Sequence, residues 1–307
     1  MIQASIRAKN IKNSSLYIDS FFNLMKPRVM SLVLFTCMVG LIIAPNDVSF
    51  SSSVLSLLAV ALGAGAAGTL NMWYESDLDA LMTRTCLRPI PTGQVTKNQA
   101  LSFGILLSVV SVLLLYFSSN LMSAFLLLFT IGFYFFIYTV WLKRKTPQNI
   151  VIGGAAGALP PAIGWTIATG SISIEPIILF LIIFLWTPSH FWALSIYKSE
   201  DYKKANIPML PIIHGINTTK KNIFIYSLLM LPTISVPYFI NFLTELYFIP
   251  AITLTIYYIY LCTLLLKSKK NKTNNFLARK IFLYSIFYLF IIFLLILFDN
   301  LIKYYYG

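Results

Sequence analysis

Charged residues are scarce in this chain. Only 11% of its 307 residues are Asp, Glu, Lys or Arg, whereas 58% are hydrophobic and the mean hydropathy is +0.79. Because roughly a quarter of a soluble domain is charged, this composition excludes a soluble globular domain and a disordered chain. Cysteine is also rare, and Cys37, Cys86 and Cys262 fit no metal-binding or redox spacing. The composition is typical of an all-α polytopic membrane protein.

Long apolar runs are the dominant feature of the sequence. We predict nine transmembrane helices, since nine stretches could cross a hydrocarbon core of about 30 Å. They lie near residues 29–45, 53–74, 100–118, 121–142, 148–168, 175–197, 222–241, 246–266 and 281–298. The chain is thus expected to comprise an N-terminal segment (1–28), a transmembrane domain (29–298) and a short tail (299–307). Apolar residues within 14–25 predict a short interfacial helix in the first of these.

The basic residues indicate an orientation. With nine spans, all of the 23 Lys and Arg residues except Lys303 fall in segments on one side of the membrane. By the positive-inside rule, the N-terminus is expected in the cytoplasm and the C-terminus outside, in a bacterial inner membrane rather than a mitochondrial one. The net charge of +13 is therefore interpreted as a topology signal. The expected partner is the lipid bilayer, and no nucleic-acid partner is predicted.

Carboxylates are the rarest charged groups, and five of the ten form two cytoplasmic clusters. Glu75, Asp77 and Asp79 follow the second span. Asn71, Glu75 and Asp79 are spaced by four residues, so a continuing helix would place them on one face. Stacked carboxylates at a helix C-terminus cost stability unless a cation lies among them, and hard oxygen ligands suit Mg²⁺. Asp77 lies off this face as a further ligand or a solvated bystander.

Two arginines with the same spacing follow the first acidic cluster. Arg84 and Arg88 carry guanidinium groups that match phosphate oxygens. Carboxylates with arginines beside a membrane predict a magnesium–diphosphate site. The alternative is a salt-bridged cytoplasmic loop.

The span interiors contain no Asp, Glu, Lys or Arg, and the only ionisable candidate is His190. Ion-coupled transporters usually carry such charges along their path, so their absence favours an apolar chamber with polar chemistry at its inner mouth. Small residues in the fifth span predict close helix packing, and Pro160-Pro161 predicts a kink there. The second acidic cluster, Glu200 and Asp201, follows the first by four spans. This even offset predicts two parallel four-helix repeats plus one further helix.

Four segments together resemble a known family. They are LMKPRVMSLVLFTCMVG at 24–40, NMWYESDLDALMTRTCLRPIPTG at 71–93, TPQNIVIGGAAGALPPAIGW at 146–165 and PSHFWALSIYKSEDYKKANIPMLP at 188–211. They resemble the UbiA-type intramembrane prenyltransferases and, within that family, the haem-modifying branch. The resemblance is strong over residues 20–215, whereas the last three spans share only their apolar character.

Two positions depart from the family's general signatures. Glu75 stands where Asp is preferred, although it still supplies carboxylate oxygens. In the second signature, D-x-x-x-D, Asp201 is followed four residues later by Ala205. The haem-modifying branch is similar at this position, which favours that branch but leaves fewer protein ligands for a second Mg²⁺.

The resemblance implies a reaction in which the vinyl group of haem B receives farnesyl from farnesyl diphosphate and a hydroxyl from water. The implied cofactor is Mg²⁺. The implied metal-binding and catalytic residues are Asn71, Glu75, Asp79 and Asp201. The implied diphosphate contacts are Arg84, Arg88, Arg28, Lys143 and Arg144. His190 is interpreted as a contact to haem iron or propionate, or as a hydrogen-bonded interhelical residue.

Two other functions remain open at the level of the sequence. The chain could prenylate an aromatic quinone precursor or a chlorin alcohol, or it could be a non-catalytic membrane carrier. A downstream haem-modifying or oxidase-assembly protein is a further partner that the resemblance leaves open.

Overall fold

The structure is a computed structural model, which describes residues 14–306; the side chains of residues 14–16, 28 and 305–306 lie outside that description. Fourteen α-helices and one π-helical segment make up the described secondary structure. In chain order they are α1 (Ser14–Leu24), α2 (Pro27–Ile42), α3 (Phe50–Tyr74), α4 (Ser76–Leu81), α5 (Lys97–Ser118), α6 (Leu121–Gly132), the π-helical segment (Phe133–Leu142), α7 (Asn149–Ala158), α8 (Pro160–Thr169), α9 (Ile174–Tyr197), α10 (Ser199–Lys204), α11 (Leu210–Ile213), α12 (Gly215–Phe239), α13 (Glu245–Lys267) and α14 (Asn271–Tyr306).

The predicted all-helical polytopic architecture is confirmed. Within residues 14–306, eight helices are long and apolar enough to cross a membrane, and the bent pair Tyr17–Leu24 and Val29–Ile42 is a ninth candidate. The largest difference in bounds is at α14, which extends beyond the predicted span 281–298 at both ends and continues through much of the predicted tail. The division into two four-helix repeats stays a prediction.

The first and fifth spans approach each other closely because glycine lies at their crossing. A Cβ atom added at Gly40 would collide with the carbonyl oxygen of Pro161, and one added at Gly164 would collide with that of Cys37. As predicted, the fifth span is interrupted, and the break falls at Leu159, directly before Pro160. Small residues therefore allow backbone-to-backbone packing around a broken helix.

Among the described residues, two large apolar clusters fill the bundle and a third, small one lies around Leu24 and Met72. The larger includes Leu179, Ile223, Tyr258 and Ile292 from α9, α12, α13 and α14. The smaller joins helices of the first half, from α2 to α8. Both clusters lie within the helical bundle, whereas the charged side chains described below lie at the ends of α3 and α9 that face the basic loops.

The N-terminal helix α1 is attached to the segment that follows the first acidic cluster. Ser20 Oγ donates to Gln94 Oε1 at 2.8 Å, and Gln99 Nε2 donates to Tyr17 OH at 2.8 Å. Ile18 is exposed on its outer side. The described part of the N-terminal segment is thus a docked helix, and its position in the membrane interface stays a prediction.

Candidate active site

The end of α3 arranges the first acidic cluster on one face. Glu75 interrupts the helix, but its amide donates to the carbonyl of Asn71 at 3.0 Å and the Asp79 amide donates to the carbonyl of Glu75 at 2.8 Å. The helical path therefore continues into α4. Asn71, Glu75 and Asp79 are 2%, 2% and 3% exposed, whereas the Asp77 side chain is 54% exposed. The face predicted from the four-residue spacing is present, and Asp77 lies outside it.

Each buried residue of this face is held by a basic side chain from another element. Lys26 Nζ donates to Asn71 Oδ1 at 2.6 Å, and Lys143 Nζ donates to Glu75 Oε2. Arg88 Nη1 donates to both oxygens of Asp79, at 2.8 and 2.7 Å. Buried charges need such partners because an isolated carboxylate loses its hydration. Three basic side chains face two carboxylates, so the cluster has an excess of positive charge when Lys26 is protonated, which favours an anionic ligand. We call these six residues the charge cluster.

The π-helical segment positions two members of this site. The amide of Lys143 donates to the carbonyl of Tyr138 at 2.9 Å, which is an i to i−5 bond. Thr139 Oγ1 accepts from Asn71 Nδ2 at 3.1 Å and donates to the carbonyl of Tyr134 at 2.9 Å. The wider helical turn thus orients both the Asn71 amide and the Lys143 amine. Such π-helical turns often occur at functional sites.

Lys26 lies at the turn between α1 and α2, outside the membrane spans. Burial, reinforced by the positive charge of Arg88, lowers the pKa of its amine from 10.5 to about 7. Glu75 and Asp79 act in the opposite direction, and Lys143 adds to the lowering. The charged side chains that shift this pKa are the other charged members of the cluster, so the amine lies among them.

The second acidic segment meets the first. Asp201, in α10, is 8% exposed, and its Oδ1 accepts a hydrogen bond from Thr83 Oγ1 at 2.7 Å. Thr83 follows α4, four residues after Asp79. The two acidic segments therefore converge, as their placement four spans apart predicts.

The remaining predicted diphosphate contacts differ in their surroundings. Arg84 is exposed and forms no ion pair among residues 14–306. Arg144 instead pairs with Asp77 at the surface, with Nη2 3.0 Å from Oδ1, and lies over the Tyr74 ring. Partial burial raises the pKa of the Asp77 carboxyl group, but hydrogen bonds from Arg144 and the backbone, together with the positive charge of Arg144, outweigh this effect and lower the pKa below its usual value. Arg144 is thus not part of the charge cluster, and the Arg28 side chain lies outside the described residues.

His190 is enclosed within the bundle. Trp186 and Phe282 stack on its two sides, with ring centroids 4.3 and 4.6 Å away. Its Nδ1 is hydrogen-bonded to Ser285 Oγ at 2.6 Å. Because both ring faces are covered, these contacts favour the interhelical interpretation of His190. A role in haem binding stays a prediction.

Three residues of the site carry no recognisable sequence signal. Lys26 belongs to a basic N-terminal segment in which orientation explains most cations, and the family resemblance implies a role for Arg28 there and none for Lys26. Thr83 and Thr139 are single hydroxyl residues in polar and apolar surroundings respectively. A contact between distant parts of the chain gives each of them its role.

The residues present fit Mg²⁺ only if other ligands contribute. Within the described part of the chain, no three His, Cys, Asp or Glu residues are close enough to enclose a metal ion. Glu75 Oε1 and Asn149 Oδ1 are nevertheless buried oxygen atoms without a hydrogen-bond partner. Mg²⁺ is commonly bound by one or two carboxylates together with substrate phosphates. The donor set therefore fits a metal shared with a phosphorylated substrate and does not form a ready all-protein site.

The comparisons with known proteins agree with this geometry. The sequence model of the UbiA prenyltransferase family matches residues 33–298. A protoheme IX farnesyltransferase from Pelagibacter ubique is 62% identical over 98% of this chain and 100% of its own length. The protoheme IX farnesyltransferase 2 of Mesorhizobium japonicum is 48% identical over 98% of this chain and 96% of its own.

Solved structures share the fold. A digeranylgeranylglyceryl phosphate synthase has a TM-score of 0.77 at 20% identity, covering 92% of this chain and 98% of its own. A UbiA homologue from Archaeoglobus fulgidus bound to DMAPP and Mg²⁺ has a TM-score of 0.66 at 16% identity, covering 88% of this chain and 99% of its own. At these sequence identities, structural similarity shows that the fold is shared but does not identify the substrate.

Proposed function

The chain belongs to the UbiA prenyltransferase family, and we infer that it is the prenyltransferase of haem O synthesis. It transfers the farnesyl group of farnesyl diphosphate to one carbon of a vinyl group of haem B, adds the hydroxyl of water to the other vinyl carbon, and releases haem O, diphosphate and a proton. The observation that carries the substrate assignment is the 62% identity to the Pelagibacter ubique protein along the whole of both chains. The charge cluster supports the reaction type.

We propose that the diphosphate binds at the charge cluster. Arg88 and Lys143 supply charged donors there, and exposed Arg84 supplies another at the rim. Arg28 and Arg144 stay predicted contacts. Such donors stabilise the negative charge that grows on the leaving diphosphate as the allylic C–O bond breaks. Asn71, Glu75, Asp79 and Asp201 would hold Mg²⁺, which supplies further positive charge when bound.

The farnesyl chain enters the apolar interior beyond the charge cluster. The apolar surroundings exclude bulk water from the allylic cation. The electron-rich vinyl carbon then forms the new bond to farnesyl C1. Water adds to the cation next to the porphyrin and loses a proton.

The test is product formation by the purified full-length protein. Farnesyl diphosphate and Mg²⁺ are supplied with either haem B or 4-hydroxybenzoate, and products are identified by mass spectrometry. We expect haem to gain the mass of one farnesyl group and one hydroxyl group, and EDTA to prevent it. A prenylated benzoate alone would replace this assignment with a quinone-type activity. Absence of diphosphate release with either acceptor would support a non-catalytic carrier.

We further propose that the protein lies in the bacterial inner membrane with its N-terminus and the charge cluster in the cytoplasm. The excess of Lys and Arg on one side of the spans supports this orientation. Fusion of alkaline phosphatase to the C-terminus should yield an active periplasmic enzyme. Phosphatase activity from a fusion in the 267–272 loop instead would reverse the orientation.

A further inference from the structure

Lys26 is held in the site by a specific turn. Its backbone is left-handed, with φ 58° and ψ 59°. The other non-glycine residues with positive φ in the described chain are Asn206 and Asn241, and asparagine tolerates this conformation better than lysine does. Unfavourable backbone conformations persist where the surroundings enforce them, frequently at functional sites.

The neighbouring helix leaves room for this turn. A Cβ atom added at Gly65 would lie 2.6 Å from Met25 Cε, and one at Gly68 would lie 3.4 Å from the Met25 carbonyl oxygen. The same added Cβ atom at Gly68 would lie 3.5 Å from Cδ of the Lys26 side chain. The lysine stem thus follows the glycine surface of α3 toward Asn71, one turn further along the helix.

The amine of Lys26 occupies an oxygen that a metal would need. Asn71 Oδ1 accepts from Lys26 at 2.6 Å, while the Asn71 amide nitrogen donates to Thr139. A similar arrangement recurs at Glu75, where Lys143 holds Oε2 and leaves Oε1 without a partner, and at Asp79, where Arg88 holds both oxygens. A divalent cation that takes the held oxygens without a diphosphate must displace these internal cations and leave them partly buried without partners, which is costly.

A diphosphate changes this balance because its oxygens give the displaced cations new partners. We propose that Lys26 is a diphosphate-binding residue that exchanges Asn71 for phosphate oxygens when the substrate arrives, and thereby frees Asn71 for the metal. Magnesium and diphosphate then bind synergistically. This inference rests on the proposed diphosphate site. It adds one residue to that site, and it predicts that the metal and the diphosphate each strengthen the binding of the other.

The proposed exchange makes a prediction that would not hold if Lys26 had a purely structural role. Removing the amine eliminates a competitor of the metal, so metal alone should bind more tightly. It also eliminates a diphosphate ligand, so the diphosphate should strengthen metal binding less. By linkage, the factor by which diphosphate strengthens metal binding equals the factor by which metal strengthens diphosphate binding.

The experiment measures Mn²⁺ binding to the full-length protein in detergent by the electron paramagnetic resonance signal of free Mn²⁺. Titrations are made without and with saturating farnesyl thiodiphosphate, an analogue that ionises slowly. Lys26→Met is compared with the wild type and with Lys97→Met, which removes an exposed cytoplasmic lysine. Lys26→Gly is a second variant, because glycine suits the left-handed turn and removes the amine without backbone strain.

In the absence of the analogue, we expect both Lys26 variants to bind Mn²⁺ at least about fivefold more tightly than the wild type. The factor by which the analogue strengthens Mn²⁺ binding should be smaller in these variants by a similar amount. Lys97→Met should match the wild type in both titrations. Unchanged or weaker binding of Mn²⁺ alone by Lys26→Gly, in a protein whose melting temperature is preserved, would refute the exchange. Haem O formation by the wild type tests the proposed function separately, since that reaction can proceed without synergy.

Discussion

The two acidic segments, which follow α3 and α9, differ in how their charges are balanced. In the first, Glu75 and Asp79 are buried against Lys143 and Arg88. In the second, Asp201 accepts a bond from a threonine hydroxyl, and no ion pair reaches it among residues 14–306. The first segment therefore carries its own cations, which a diphosphate can use, whereas the second offers a single buried carboxylate, that of Asp201. We expect the largest functional effects in the first segment.

The largest effect is expected at the most completely paired carboxylate. Asp79→Asn removes the charge that holds Arg88 and a predicted metal ligand. Farnesyl transfer should fall by about a thousandfold or more, because stabilisation of the leaving group is lost. The measurement is haem O formation by purified protein at saturating Mg²⁺.

Asp77→Asn is the matched control for that substitution. It removes an exposed carboxylate two residues away that pairs only with surface Arg144, a contact worth ~1 kcal/mol or less. Activity within about threefold of the wild type is expected, since that factor corresponds to less than 1 kcal/mol. Equal losses of activity in Asp79→Asn and Asp77→Asn would show that burial does not determine which carboxylate the reaction needs.

The second segment can be tested by restoring its missing carboxylate. Ala205 is 3% exposed and packs in the larger apolar cluster. Ala205→Asp should therefore destabilise the protein by about 3 kcal/mol, the cost of a buried charge without a partner, and should not improve metal binding. Thermal unfolding in detergent, with exposed Lys204→Asp as control, measures the loss. A stable Ala205→Asp variant with tighter Mn²⁺ binding would show that this position faces the metal.

Arg88 and Arg144 form a comparison within the first segment. Arg88→Met should lower kcat/KM for farnesyl diphosphate by roughly a hundredfold, because it removes a charged donor to the diphosphate and leaves Asp79 buried without a partner. Arg144→Met should lower it by about tenfold at most, since Arg144 is held by Asp77 outside the charge cluster. Steady-state kinetics at fixed haem B decides the order. A larger effect of Arg144 would place the diphosphate nearer the surface.

The smallest effect is expected at the contact between the segments. Thr83→Val keeps the side-chain shape and removes the hydrogen bond to Asp201, a change of about 1 kcal/mol. Activity should fall by about fivefold, and Thr83→Ser should recover most of it. If valine had no effect, the hydroxyl would not position Asp201.

Much of the fold could be predicted because membrane spans are encoded locally. The length of each apolar run and the alternation of basic loops identify spans without knowledge of tertiary contacts. The bounds of α14 could not be predicted, since its helix continues through polar residues at both ends, where hydropathy no longer marks it. The break at Leu159 was predictable, because Pro160 and Pro161 lack the amide N–H groups that a continuous helix needs.

The site could be predicted only in part. Four-residue spacing identified the shared face of Asn71, Glu75 and Asp79, because that relation is local. The cations that hold this face come from distant elements, and nothing local distinguishes Lys26 from the other basic residues around it. His190 illustrates the same limit, since Trp186 and Phe282 decide that its ring faces are covered.

The central claim is that acidic residues of both segments act on one bound complex of metal and diphosphate. Its most direct test is a double-mutant cycle on the affinity for farnesyl thiodiphosphate at saturating Mg²⁺, using wild type, Asp79→Asn, Asp201→Asn and the double variant. If both residues act on one complex, the loss in the double variant should be at least about fivefold smaller than the product of the single losses. A double variant whose loss equals that product within about twofold would mean that the two segments act independently, and would contradict the account.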